Sequence, residues 1–297
     1  MDSEWFERGW TLQELLAPKP ENMTFYDKHW REMGTKDDLA SFLEKPNGIN
    51  QLYLNGKLRF QDASIATKMS WMAGRTTGVI EDIAYSLLGI FNVNMPLIPN
   101  EGVQAFVRLQ ETIMSGNSFD ESMFAWKTPP NGELACYRRV AKRKENGQVR
   151  VLTKPWPWSP SNRHWGLLAP SPDCFTAAAS ESVVKQHPKT KVTPRKEGGF
   201  RRTNQGVVLS LPFKDTKTLM GTDKKELNLP LNCWRSSDGA NVVLQLSRAS
   251  KGDPTWIREQ CGQLKFDPKA KISDNMSMGI DQKLTAAVTV RQPVLEA

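Results

Sequence analysis

A chain of 297 residues with 39% apolar content is long enough for about two domains and carries enough apolar side chains for real cores, which excludes global disorder. No run reaches the roughly 18 apolar residues of a membrane span, and the acidic start Met-Asp-Ser-Glu lacks a secretory apolar region, so a soluble cytoplasmic protein is expected. The net charge of +8 is unevenly divided: residues 1–128 hold 12 Lys/Arg against 17 Asp/Glu, and residues 129–297 hold 28 against 15, as in two units with different surroundings.

The chain opens on Trp5 to Pro18, WFERGWTLQELLAP. Trp10, Gln13 and Glu14 recur at helical spacing, with Leu12, Leu15 and Leu16 on adjoining turns, and Pro18 and Pro20 end the pattern. Met23–Asp27 alternates as a short strand, and a helix is expected over Lys36–Lys45, broken by Pro46-Asn47-Gly48. Three stronger amphipathic stretches follow at Ser64–Met72, Val79–Phe91 and Glu101–Met114, which read as one compact helical unit. After Trp126 the prolines exclude long helices. Short apolar runs at Trp165–Ala169, Val207–Leu211, Leu227–Leu231, Val242–Leu246 and Ala286–Val290 read as a β-rich region. Residues 180–203 are polar and basic, as in a mobile insertion.

The side chains that usually carry chemistry are sparse. Cys136, Cys174, Cys233 and Cys261 are too widely spaced for a zinc site, and His29, His164 and His187 are far apart, so no metal is expected. The thiols read as reduced and mostly buried, with no histidine beside Cys233 to make it a nucleophile. Gly198-Gly199 does not fit a phosphate-binding loop. The run Arg138–Lys144 and the cluster Lys185–Arg202 have the charge for salt-sensitive phosphate contacts, but no interleaved aromatics. Solvated loops are the plainer reading, and nucleic acid is not an expected partner. Trp156-Pro157-Trp158 fits either a partner contact of the proline-rich kind or a corner filling a β-domain core.

The opening segment resembles the third signature block of the fungal heterokaryon-incompatibility (HET) domain, with its Arg-Gly-Trp-x-Leu-Gln-Glu core. The resemblance extends through Phe25-Tyr26-Asp27 with Trp30, Ile65–Trp71, Glu81–Phe91, Val93–Pro96, Glu101-Gly102 and Arg108–Glu111. Weaker echoes reach Leu168–Pro172, Thr203–Gly206 and Leu229–Cys233. Two earlier strand blocks of that domain are missing, Pro99-Asn100 replaces a Tyr-Gly, and Gly78 stands where an Arg is expected. The resemblance therefore implies a HET protein lacking the front of its domain. It implies an α+β fold in three parts: residues 1–35 as a remnant of an α/β, TIR-like HET domain, 36–125 as a helical bundle, and 126–297 as a β-rich C-terminal domain. It further implies non-self recognition and cell-death signalling through protein partners.

HET domains are similar to TIR domains, some of which hydrolyse NAD with a glutamate in a Trp-x-Leu-x-Glu-Leu context, and Trp10–Leu15 fits that pattern. Glu14 is thus the one candidate catalytic residue: a carboxylate stabilises the oxocarbenium character that builds as the nicotinamide–ribose bond breaks. Its alternative reading is a helix-surface carboxylate. Trp10 is the candidate for stacking on the nucleotide, though beside leucines its spacing is that of a core residue. Glu81 and Asp82 are either an acid/base pair or acidic residues favouring a helix N-terminus, with Arg75 as an ion-pair partner. A lone carboxylate without positioned partners catalyses poorly, so activity of this chain alone is not expected.

Overall fold

The computed structural model describes residues 3–116, 120–129, 143–145, 148–150, 166–180, 182–185, 200–203, 206–212, 226–248, 255–259, 261–268 and 285–290. At its start, the Ser3 hydroxyl caps a 3-10 turn, Glu4–Glu7, by accepting from the Trp5 amide. Helix α1 (Thr11–Leu16) follows and buries Leu12, Leu15 and Leu16. Its last carbonyls would lack donors, and Lys36 supplies them: the buried ammonium donates to Leu15 O at 2.7 Å and Pro18 O at 2.6 Å. Strands β1 (Thr24–Tyr26) and β2 (Glu32–Thr35) form an antiparallel hairpin, with one extra residue on β2.

The docking of this N-terminal segment depends on two residues. Gly9 runs so close to the next layer that a Cβ there would lie 2.5 Å from Thr77 Cγ2 and 2.6 Å from Met72 Cε. That approach allows an extended pairing, with the Gly9 amide donating to Thr76 O (2.8 Å) and the Thr76 amide to Glu7 O (2.7 Å). Arg75 is 3% exposed, and its guanidinium donates to Arg8 O, Trp71 O, Thr11 Oγ1 and Asn47 Oδ1 at 2.7–3.2 Å. The expected pairing with Glu81 or Asp82 is not among these bonds.

Helices α2 (Ala40–Asn47), α3 (Gln51–Leu54), α4 (Ile65–Ser70), α5 (Asp82–Tyr85), α6 (Leu88–Phe91) and α7 (Gln104–Ser115) make up the middle of the chain. Two differ from the sequence expectation for identifiable reasons. Helix α2 starts later than Lys36, because Lys36 caps α1 and Asp38 holds Thr35 in a turn. It also continues through Pro46 to end on Gly48 at φ +64°. The Val79–Phe91 stretch is two short helices, not one. The Gln13 side-chain amide donates to the Ser86 carbonyl, and the Leu87 amide turns back three residues to Ala84 O. Periodicity could not reveal a break caused by a side chain 73 positions away.

In the second half, strands β3 (Arg143–Glu145) and β4 (Gln148–Arg150) form a hairpin, and a short helix α8 spans Thr176–Ser180. The main sheet has eight strands: β5 (Val183–Val184), β6 (Phe200–Thr203), β7 (Gly206–Pro212), β8 (Glu226–Arg235), β9 (Asn241–Ser247), β10 (Thr255–Arg258), β11 (Lys265–Asp267) and β12 (Thr285–Val290). Their order is β5-β8-β9-β10-β12-β7-β6, with β11 also on β9, and every described pair is antiparallel except β10–β12. Helices with a mostly antiparallel sheet are the α+β class read from the sequence. Four of the five apolar runs lie in strands. The fifth is a buried loop at Gly166–Ala169, whose polar backbone is satisfied by side chains: Gln110 exchanges two bonds with Ala169 (2.8 and 2.9 Å), and Trp126 Nε1 donates to Leu167 O (2.6 Å). The Lys185–Arg202 cluster lies largely, and Trp156-Pro157-Trp158 wholly, outside the described residues; of Arg138–Lys144, only Arg143 and Lys144 are described.

Gly9→Ala should destabilise the protein by about 1–3 kcal/mol by crowding Thr77 and Met72, measured as a lower urea midpoint. Lys68 gives a pH signature. It is buried, donates to Gln61 O at 2.8 Å and lies 5.7 Å from the Phe91 ring centroid; burial, with Lys185 nearby, lowers its pKa from 10.5 to about 8. Between those values the unfolded chain keeps a proton that the folded chain has released, so the Lys68 contribution to stability rises with pH. The stability of wild type minus that of Lys68→Met should climb from pH 8 to pH 10.5; a flat difference would contradict this placement.

Candidate functional site: the groove at Glu14

The structure assigns most polar side chains of the opening motif to internal contacts. Thr11 Oγ1 donates to the carbonyls of Trp5 and Arg8 (2.6 and 2.7 Å), Gln13 holds Ser86, and Trp10 Nε1 donates to Asp82 Oδ2 at 3.1 Å. Trp10 therefore departs from the core expectation: it is 41% exposed, lying over the start of α5 and tethered by its indole N–H. Asp82 thereby acquires a structural partner. Glu81 is buried at the N-terminus of α5 and accepts from the Gly102 amide at 3.0 Å. These two carboxylates serve the backbone and an indole, which fits the helix-terminus reading of the pair.

Glu14 is different. It is exposed on α1, and one oxygen accepts from Trp5 Nε1 at 3.1 Å while Oε1 has no partner among the described residues. It lines an open groove of about 800 Å³ between α1, the N-terminal turn and the hairpin. The walls are aromatic: Trp5 meets Phe25 edge-on at 6.2 Å and Phe6 at 5.2 Å, with Tyr26 along the same side. Trp10 does not line this groove, so the structure does not bring the two candidate site residues together in it.

At the far end Asp27 organises the hairpin turn. Its carboxylate accepts from the amides of His29 and Arg31 and from the Arg31 guanidinium at 2.7–3.0 Å. The Arg31 amide, helped by that guanidinium and the His29 amide, holds the Asp27 carboxyl below its ordinary range. The turn places Trp30 at φ +62°, a conformation uncommon for a bulky residue, with its ring 84% exposed and 6.2 Å from Tyr26. Trp5 and the β1 side chains did not stand out as site residues in the sequence. They meet Glu14 across nine or more positions and two changes of element.

The other candidates are structural. Cys174, Cys233 and Cys261 are buried free thiols, and burial pushes the Cys174 and Cys233 pKa values well up, which keeps them protonated and unreactive. Among the described residues no group of His, Cys, Asp and Glu is arranged to hold a metal ion. Nor is any described helix long and apolar enough to cross a membrane.

Comparison with known proteins agrees with the motifs. A family model described as a domain of unknown function, DUF8212, matches residues 104–229. The vegetative incompatibility protein HET-E-1 of Podospora anserina is 41% identical over 111 residues, which is 37% of this chain and 8% of that protein. No solved structure matches. The chain thus spans only a small part of its relative's length, and within the matched stretch it is similar to HET-E-1.

Proposed function

We propose that this chain works as a heterokaryon-incompatibility protein, taking part in non-self recognition and cell-death signalling through protein contacts in the cytoplasm. The similarity to HET-E-1 carries this reading. An aromatic groove at the surface is compatible with a contact role. The test is a chimera in which the matched stretch of the Podospora protein is replaced by the aligned residues of this chain. Incompatibility-type cell death in strains carrying the chimera is the expected result; normal growth at full expression would overturn the proposal.

A second reading is favoured by one observation, that Glu14 lines a groove with a carboxylate oxygen that has no partner among the described residues. In it, Glu14 stabilises the ribosyl cation as NAD is hydrolysed. The described groove lacks the second positioned group such a reaction needs, since the Asp27 oxygens are occupied by Arg31 and backbone amides. The reading is tested by measuring NAD in cells expressing the chain and its Glu14→Ala variant. Depletion lost in the variant would support hydrolysis; equal NAD levels in both would dismiss it.

A further inference from the structure

The groove at Glu14 has a backbone side as well as an aromatic one. Met23, Thr24, Phe25, Tyr26, Asp27 and Lys28 all line it, whereas β2 contributes only Met33. Consecutive residues of a strand point to opposite faces, so a groove bordered by all of them runs along the strand's edge. Among the described residues β1 pairs only with β2, which leaves that edge open to them.

The hydrogen-bond parity identifies which groups the edge presents. Met23 O accepts from the Lys36 amide (2.8 Å) and the Asp27 amide donates to Arg31 O (2.9 Å), both across the hairpin. Alternation then turns the N–H and C=O of Thr24 and Tyr26 away from β2 and toward the groove. The irregularity in the ladder adds its residue to β2, so it leaves this parity intact on β1.

We propose that the β1 edge binds an extended, basic peptide segment of a partner protein, which adds a third strand to the hairpin and places a Lys or Arg side chain against Glu14. The backbone groups of Thr24 and Tyr26 supply main-chain bonds, as in other strand-addition modes. Trp5 and Tyr26 provide faces for the aliphatic stem and the cationic head. Glu14 supplies the matching charge, with Oε1 available while Oε2 is held by Trp5. This occupant gives chemistry to the protein contacts proposed above and shares only that premise with them. A failed peptide titration leaves the chimera result standing, and a failed chimera leaves the peptide result standing.

The experiment is a fluorescence-anisotropy titration of the full chain with a labelled, end-blocked pentapeptide of alternating Lys and Val, set against the same peptide with Glu replacing Lys. Binding of the basic peptide alone is expected. Thr24→Pro removes an outward N–H that has no partner in the hairpin, and Met23 is already extended at φ −120° and ψ 111°, as a residue before proline must be. It should keep its melting midpoint and weaken binding about tenfold, and Glu14→Gln should do the same. If the proline variant fails to fold, Glu14→Gln and the charge-reversed peptide still decide the matter. Equal binding of both peptides would overturn the proposal, as would undiminished binding by every folded variant. So would a concentration-dependent dimer in sedimentation that excludes the peptide, since a second copy of the chain would then occupy the edge.

Discussion

The buried guanidinium of Arg75 is the interaction on which the N-terminal half depends. A charge this deep is strongly unfavourable unless its donors are matched, and here they reach into four segments: Arg8 O in the entry strand, Thr11 at the start of α1, Asn47 at the end of α2 and Trp71 O at the end of α4. Asn47 is itself oriented, with its amide nitrogen donating to Leu43 O at 2.8 Å, so its oxygen faces the arginine. With Arg75 in place the entry segment has one path across the molecule. Gly9 is the residue that lets it pass at van der Waals distance. Removing the arginine would deprive Trp71 O and Asn47 Oδ1 of a donor away from water, a larger penalty than the loss of any single bond.

The same device recurs where the helices meet the sheet. Asp120 Oδ2 and Ser122 Oγ accept from the Ile65 and Ala66 amides at the start of α4, Asp173 Oδ1 accepts from the Gly74 amide just beyond its end, and Glu121 Oε2 accepts from the Asn232 amide in β8. Each is a buried carboxylate or hydroxyl satisfying backbone donors that secondary structure left open. Arg258 illustrates the complementary case. It lies over the Trp126 ring at 4.0 Å and donates to Trp126 O, yet its Nη1 has no hydrogen-bond partner among the described residues, and burial lowers its pKa. Dispersion and the ring quadrupole are what hold that part of the guanidinium. Polar tethers thus fix how the layers meet, and the shared apolar cluster supplies the bulk of the burial.

These patterns explain what could be read in advance. Helix existence was legible wherever the apolar stripe was long, as for α7, whose Ala105, Phe106, Leu109 and Ile113 all point into the core. The strands β7, β8, β9 and β12 were legible as short apolar runs between turns. Boundaries and breaks were not, because distant side chains set them: Gln13 at Ser86, Lys36 at α1, Gln110 at the Gly166–Ala169 loop. Of the candidate groove, only Glu14 stood out in the sequence, through its motif. Trp10 was expected in the core because of its leucine neighbours, and its bond to Asp82 spans 72 residues. Trp5, Thr24 and Tyr26 carried no local mark of the groove, which exists only once the hairpin folds back over α1.

The motif therefore contains two kinds of residue, and separating them bears on what Glu14 does. Gly9, Trp10, Thr11, Gln13 and the leucines are each accounted for by packing or by a hydrogen bond to the rest of the chain. Structural carboxylates here engage one oxygen, as Glu81 and Asp82 do, or both, as Asp27 does in its turn. Glu14 has one oxygen steadied by an indole N–H, and the other has no partner among the described residues, in a groove with aromatic walls. Hydrolysis would require further groups fixed around the same point. A single steadied charge next to an open strand edge meets the requirements of recognition with less: it must select a cation and hold it, and those two tasks need only the carboxylate, the rings and the unpaired amides of β1.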